Sequence, residues 1–156
     1  YAILEKSRDI NGIIMTNPLI DLGNWKEILK FFKKNTSRAI LKRNTFYRPW
    51  GNYINLFAGK GFLLKELTIN PKSSISLQKH VHRSERWTII SGQPKVTLNN
   101  KIFFKKENDI IFIPKHSIHR IENLGKELVK IAEVQMGTVL KESDIIRYKD
   151  IYGRIK

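Results

Sequence analysis

Cysteine is absent from the 156-residue chain, so it carries neither a disulfide framework nor a thiolate metal site. Any metal must be held by nitrogen and oxygen ligands. A reducing cytoplasm fits that composition, and a cytoplasmic location is the expectation. Also absent is any run approaching the roughly 20 uninterrupted apolar residues of a membrane span, and the N-terminus lacks the basic-then-apolar pattern of a signal peptide. Acidic residues are scarce, 14 Asp plus Glu against 29 Lys plus Arg, for a net charge of +15. A field of that sign draws phosphates, nucleic acid or anionic membrane. The basic residues are spread along the chain, however, and abundant Lys, Ile and Asn is what an A/T-rich genome produces. Neither nucleic acid nor membrane is therefore expected as a partner. The first residue is Tyr1 rather than methionine, which points to a trimmed or processed chain or a piece of a longer one.

What is present suggests one domain with a short extension. From Asn24, Trp25, Ile28, Leu29 and Phe32 recur at helical spacing, with Asn24 as N-cap and Glu27 placed as in a capping box. One helix is predicted there. The polar run from Lys33 to Thr45, with Tyr47-Arg48-Pro49-Trp50-Gly51 after it, reads as a linker and sets a boundary near residue 45. Beyond Gly51 come short apolar runs bounded by turn residues. Strands are predicted over 53–57, 62–69, 74–79, 87–91, 95–98, 102–105, 110–113, 117–122 and 128–135, with a hairpin at Asn99-Asn100. Such a series without intervening helices implies an all-β jelly roll or antiparallel barrel. A short terminal helix is predicted over 143–152.

The four histidines fall into two clusters, His80 with His82 and His116 with His119. On a strand, Gln78, His80 and His82 share one face, giving three ligand-capable side chains on one wall. Glu85 has the opposite parity to His82. It joins them only if the chain turns or bulges near Arg83-Ser84.

Two motifs sharpen this. His80-x-His82-x-x-Glu85, with Gly92 beyond, is similar to the first cupin motif; Asn108, Pro114, His116, His119 and Asn123 follow the spacing of the second, with Asn108 and His116 where glycine is usual. Several further motifs stand in order over residues 46 to 155: Arg48-Pro49-Trp50-Gly51, Gly61-Phe62 with Lys65, Ser76-Leu77-Gln78-x-His80-x-His82-Arg83-Ser84-Glu85, Glu133-Val134-Gln135 with Gly137, and Asp144-Ile145-Ile146-Arg147 with Tyr152-Gly153-Arg154. Together they resemble the isomerase domain of the type II mannose-6-phosphate isomerase / mannose-1-phosphate guanylyltransferase family. Residues 1–45, through Tyr1-Ala2-Ile3-Leu4-Glu5-Lys6 and Asp21-Leu22-Gly23-Asn24-Trp25, resemble the closing segment of that family's nucleotidyltransferase domain plus a linker; residues 46–156 would be the cupin domain. The transferase's Gly-rich nucleotide loop has no counterpart here, so guanylyl transfer by this chain alone is not expected. Departures are Arg86 where histidine is usual, Lys72 where glycine commonly follows Pro71, and Leu19-Ile20 in place of a tryptophan-containing stretch.

The resemblance implies a cupin-type jelly-roll barrel that interconverts mannose 6-phosphate and fructose 6-phosphate in GDP-mannose and polysaccharide precursor synthesis. It implies a divalent metal, Zn, Fe, Mn or Co, held by His80, His82, Glu85 and His119, with Gln78 as the reserve ligand. Glu133 is the candidate general base, although parity alone leaves an outward-facing strand residue as its alternative. Arg83, Arg147 and Arg154 are the candidate phosphate cations, and Arg147 is placed with Glu133 nearest the chemistry. Plainer readings stand beside these: the histidines as satisfied barrel or surface imidazoles, Arg83 paired with a nearby carboxylate, Trp50 and Trp87 as core aromatics. The alternatives to an isomerase are an inactive remnant of a bifunctional enzyme and a different metal cupin enzyme. A phosphosugar is the expected ligand, and a homodimer is open.

Overall fold

The computed structural model describes residues 44–154. The helix expected from Asn24 and the transferase-like segment lie outside the described residues. Twelve strands follow in order: β1 Thr45–Arg48, β2 Gly51–Gly59, β3 Phe62–Ile69, β4 Ser73–Ser74, β5 Leu77–His80, β6 Arg83–Ser91, β7 Lys95–Leu98, β8 Lys101–Phe104, β9 Ile110–Ile113, β10 His119–Asn123, β11 Val129–Gly137 and β12 Ile145–Lys149. They form two antiparallel sheets. One runs β1-β2-β3-β11-β6-β9, the other β12-β5-β10-β7-β8 with β4 on β10.

Alternation along the strands makes the core. In β6, Arg83, Glu85, Trp87 and Ile89 are buried while Arg86 faces out, as period-2 geometry requires. Trp87, Ile89, Ile69, Ile121 and Ile131 are fully buried between the sheets, each contributing roughly 1.5–3 kcal/mol of apolar burial. That apolar packing fills one end of the barrel. Toward the other end the same inward positions carry His80, Arg83, Glu85, His119, Glu133 and Gln135, all nearly or fully buried.

Two expectations fail at the edges. The segment read as a linker supplies β1, which pairs with β2 through a two-residue turn at Pro49-Trp50; Gly51 there has φ +143 and lies so close to the Thr68 carbonyl that a Cβ would clash. The predicted terminal helix is instead a 3-10 turn, Glu142–Asp144, followed by β12. Ile145-Ile146 is β-branched, and the open edge of β5 offers a pairing partner, which outweighs a weak helical pattern. The Asn99-Asn100 hairpin joins β7 to β8 with Asn99 at φ 52.

Candidate metal centre and cavity

The chain does turn between His80 and Glu85, but at Val81-His82, where β5 ends and β6 begins, and not at Arg83-Ser84, which already belong to β6. Before it, Gln78 and His80 face inward; after it, Arg83 and Glu85 do. His119 enters from β10, whose Cα partner on β5 is Gln78. The nitrogen and oxygen atoms of His80, Glu85 and His119 lie within 4.8 Å of one another, and all three residues are buried.

Hydrogen bonding fixes which ring atoms meet. His119 Nδ1 lies 2.9 Å from the Ser117 carbonyl and His80 Nδ1 lies 3.3 Å from the Asp144 carbonyl. A carbonyl only accepts, so each Nδ1 carries the hydrogen and each Nε2 turns inward. His80 Nε2 is 3.1 Å from Glu85 Oε1, and His119 Nε2 is 3.6 Å from Glu85 Oε2. Burial depresses the His119 pKa, only partly opposed by Glu85, so its Nε2 presents a lone pair. It is buried without a hydrogen-bond partner. A lone pair facing a carboxylate across that gap is a repulsive contact that a cation between them would relieve. Two ligands about 2.1 Å from one ion would stand roughly 3.0–3.4 Å apart at common coordination angles, close to what is seen. The donor set fits a divalent metal.

His82 is not brought into this group. Its side chain is half-exposed and its Nδ1 lies 2.8 Å from Asp144 Oδ1, while its backbone N–H donates to the same carboxylate. The break at Val81-His82 cancels the period-2 rule that placed it beside His80. Gln78 lines the cavity beside the triad, its Oε1 accepting from Ser76 Oγ at 2.8 Å.

Above the triad opens a cavity of about 480 Å³ including its mouth, lined by five cationic side chains and three carboxylates. Glu133 faces inward from β11. Trp87 Nε1 donates to both Glu85 Oε2, at 3.1 Å, and Glu133 Oε2, at 3.0 Å; Gln135 Nε2 donates to Glu85 Oε1, at 3.2 Å, and Glu133 Oε1, at 2.6 Å. The two carboxylates titrate apart. For Glu85, burial works upward, but the His80 ring in its protonated form, then protonated His119 and the Arg83 guanidinium, outweigh it and hold it below the ordinary range. Burial and then the Glu85 charge push Glu133 up to about 7, with Lys65 and Arg83 opposing. One carboxylate stays ionised while its neighbour sits near neutrality, the usual signature of a proton-transfer pair.

The arginines divide. Arg83 is buried and committed to Glu85 Oε1 (3.1 Å), Asp144 Oδ2 (3.4 Å) and the Lys141 carbonyl (3.0 Å). Arg154 reaches the cavity wall but closes a fork on Asp150 at 2.9 and 2.6 Å. Arg147 lines the mouth with a buried Nε that has no hydrogen-bond partner. Arg86 faces outward over Phe112, so that departure from the family pattern does not touch the cavity. Trp87, Gln135 and Asp144 were not singled out as site residues from sequence. Trp87 shares the inward parity of Glu85, and Gln135 that of Glu133, a signal that was legible; the reach of Asp144 across to His82 and Arg83 was not.

The family model for the mannose-6-phosphate isomerase C-terminal domain matches residues 35–150. The sequence is 45% identical over 108 residues, 69% of this chain, to the alginate biosynthesis protein AlgA of Pseudomonas putida. It is 34% identical over 152 residues, 97% of this chain, to a mannose-1-phosphate guanylyltransferase of Salmonella montevideo. The chain spans only 22% and 32% of the lengths of these curated relatives. Among solved structures, the Schizosaccharomyces pombe Cnp3 cupin domain superposes with a TM-score of 0.53 at 21% identity, covering 59% of this chain and 68% of that one. The fold is a cupin barrel.

Proposed function

The chain belongs to the mannose-6-phosphate isomerase C-terminal family, and on that premise we propose that it isomerises mannose 6-phosphate and fructose 6-phosphate. The observation that carries this reading is a buried triad fit for a metal whose Glu85 lines the cavity beside Glu133, a carboxylate poised near neutrality and tied to Glu85 through Trp87 and Gln135. His80, Glu85 and His119 would hold the divalent cation, with Gln78, two residues before His80 on β5, as the reserve ligand. When bound, such a cation supplies Lewis-acid polarisation of the sugar's C1 and C2 oxygens.

The protein's own groups account for the proton movement. Glu133 as carboxylate takes the proton from C2 of the open-chain aldose; the C2–H electrons form the C1–C2 double bond, the carbonyl pair moves onto O1, and O1 takes the proton of the C2 hydroxyl, leaving an enediolate with its charge on O2. The same carboxyl then returns its proton to C1 as O2 re-forms the carbonyl, leaving the ketose. Trp87 and Gln135 hold Glu133 in place by one hydrogen bond on each oxygen. Arg83, committed to Glu85 and Asp144, acts in this reading as a clamp on the site rather than as a phosphate ligand. The domain division is part of the same reading: residues 1–45 as the tail of a nucleotidyltransferase domain are supported by a match that extends over 97% of this chain, though 32% of the guanylyltransferase it is matched to.

The test is direct. Incubation of the chain with mannose 6-phosphate and each of Zn, Fe, Mn and Co, followed by assay of fructose 6-phosphate, should show turnover that Glu133→Gln abolishes. Absence of turnover with every metal would instead mark a non-catalytic barrel.

A further inference from the structure

The outermost strands of the two sheets, β1 and β12, meet at the cavity mouth, and each presents one arginine to the same carboxylate. Arg48 NH2 lies 3.8 Å and Arg147 NH2 3.9 Å from Glu142 Oε2. Both distances exceed a hydrogen bond, so Glu142 balances charge without using the donors. Arg48 is nonetheless held in place: NH1 donates to the Tyr47 carbonyl at 2.9 Å, NH2 donates to the Tyr53 hydroxyl at 3.1 Å, and the guanidinium lies over the Tyr53 ring. Arg147 Nε is buried and unpartnered. Arg83 and Arg154, by contrast, have spent their donors on Glu85, Asp144 and Asp150. Glu142 itself stands on a single 3-10 turn with its side chain 44% exposed, and the hydrogen bond it accepts from the Tyr53 hydroxyl is one that a phosphate oxygen in its place can accept instead.

We propose that Arg48 and Arg147 form the fork that binds the phosphate of a phosphosugar, and that Glu142 is a resident counter-ion which the phosphate displaces. The proposal rests on the isomerase reading for its ligand class, a phosphomonoester dianion. Two guanidinium groups converging from different sheets match the several oxygens of a phosphate better than the two of a carboxylate. The swap keeps the mouth neutralised when no substrate is bound. It also makes the site selective for a dianion, which gains more from the fork than the single charge it expels.

Calorimetric titration of the full chain with inorganic phosphate, mannose 6-phosphate and mannose tests this. Glu142→Gln is expected to bind both phosphates about five- to tenfold more tightly, because a like charge is removed from the site. Arg48→Leu and Arg147→Leu are each expected to weaken both by about tenfold or more, with mannose unaffected throughout. A gain of affinity in Glu142→Gln cannot arise from misfolding, which guards against misreading the losses. Unchanged phosphate affinity in Glu142→Gln, or equal changes for mannose, overturns the proposal even if the chain turns over mannose 6-phosphate. If turnover is absent yet Glu142→Gln gains and the arginine variants lose phosphate affinity, the fork stands and the isomerase reading falls.

Discussion

Lys65 and Glu133 are direct Cα partners across β3 and β11, both buried and both lining the cavity. The Lys65 ammonium lies over the Tyr53 ring, 4.5 Å from its centroid, while the Glu133 carboxylate is held by Trp87 and Gln135. Lysine thus acts on the carboxylate through charge. It offsets part of the upward push that burial and Glu85 exert, and Glu133 comes to rest at about 7.

Removing that charge should therefore move the acid limb of the pH–rate profile. In Lys65→Met, Glu133 loses the largest influence that favours its ionised form, and the pH at which isomerisation reaches half its plateau is expected to rise by about one unit. The reading is the kcat profile between pH 5 and 9. A limb that stays where it was in the unsubstituted chain would remove Glu133 from the role of base.

The same elevated pKa makes a stability prediction for the metal-free chain. Glu133 titrates at about 7 when folded against an ordinary 4.5, so the folded state binds the extra proton between these values. Its contribution is fully present below about pH 4.5 and is lost as pH rises through 7, amounting to a few kcal/mol. Glu133→Gln, which stays neutral, should be the more stable protein at pH 8, with little difference at pH 4.5. Denaturant unfolding at the two pH values measures this. Equal losses in both proteins would show that the carboxyl is ionised throughout.

How much of this was written in the sequence depends on the range of the interaction. Strand alternation and the turn residues placed β2, β3 and β7 to β11 within two residues of where they lie, because each rests on local sterics and one-sided burial, whereas β6 begins at Arg83, four residues before the predicted start at Trp87. The inward positions of His80, Glu85 and His119 followed from motif spacing. His82 was misplaced because the two-residue break before β6 resets parity, and nothing local announces where such a break falls. β12 was misread for a related reason, since its strand depends on a free edge of β5 supplied from 65 residues away, as in the Ile145 to His80 pairing. Arg154 looked like a free cation, and Arg83 was left between a phosphate and a nearby carboxylate, because their carboxylate partners are assigned by folding.

Sequence departures from family glycines also acquire a physical meaning. Lys72, Asn108 and His116 have φ of 55, 71 and 66, left-handed values that favour glycine. Asparagine tolerates this conformation, and Lys72 recovers something through a hydrogen bond to the Leu124 carbonyl. His116 is exposed and its backbone N–H already bonds the His80 carbonyl, so its side chain has no evident compensation. His116→Gly is expected to stabilise the chain by roughly 1 kcal/mol, seen as a rise in Tm of several degrees. A fall in Tm would mean that the imidazole makes a contact worth more than the strain.

Metal addition separates a histidine of the second motif from one of the first. His119 Nε2 is buried, unpartnered and turned toward Glu85, whereas His82 is spent on Asp144 at the surface. A divalent cation that binds only the folded chain raises its stability by about 2.7 kcal/mol at a hundredfold excess over Kd. That increment should survive in His82→Gln, whose own loss is confined to the Asp144 contact and is present with or without metal. In His119→Gln it should shrink to near zero, since the amide lacks the imidazole lone pair at that position. The comparison is the Tm difference with and without Zn or Mn for each variant, which cancels any structural cost of the substitution itself. Loss of the increment in His82→Gln but not in His119→Gln would place the ion elsewhere and dissolve the triad as a metal centre.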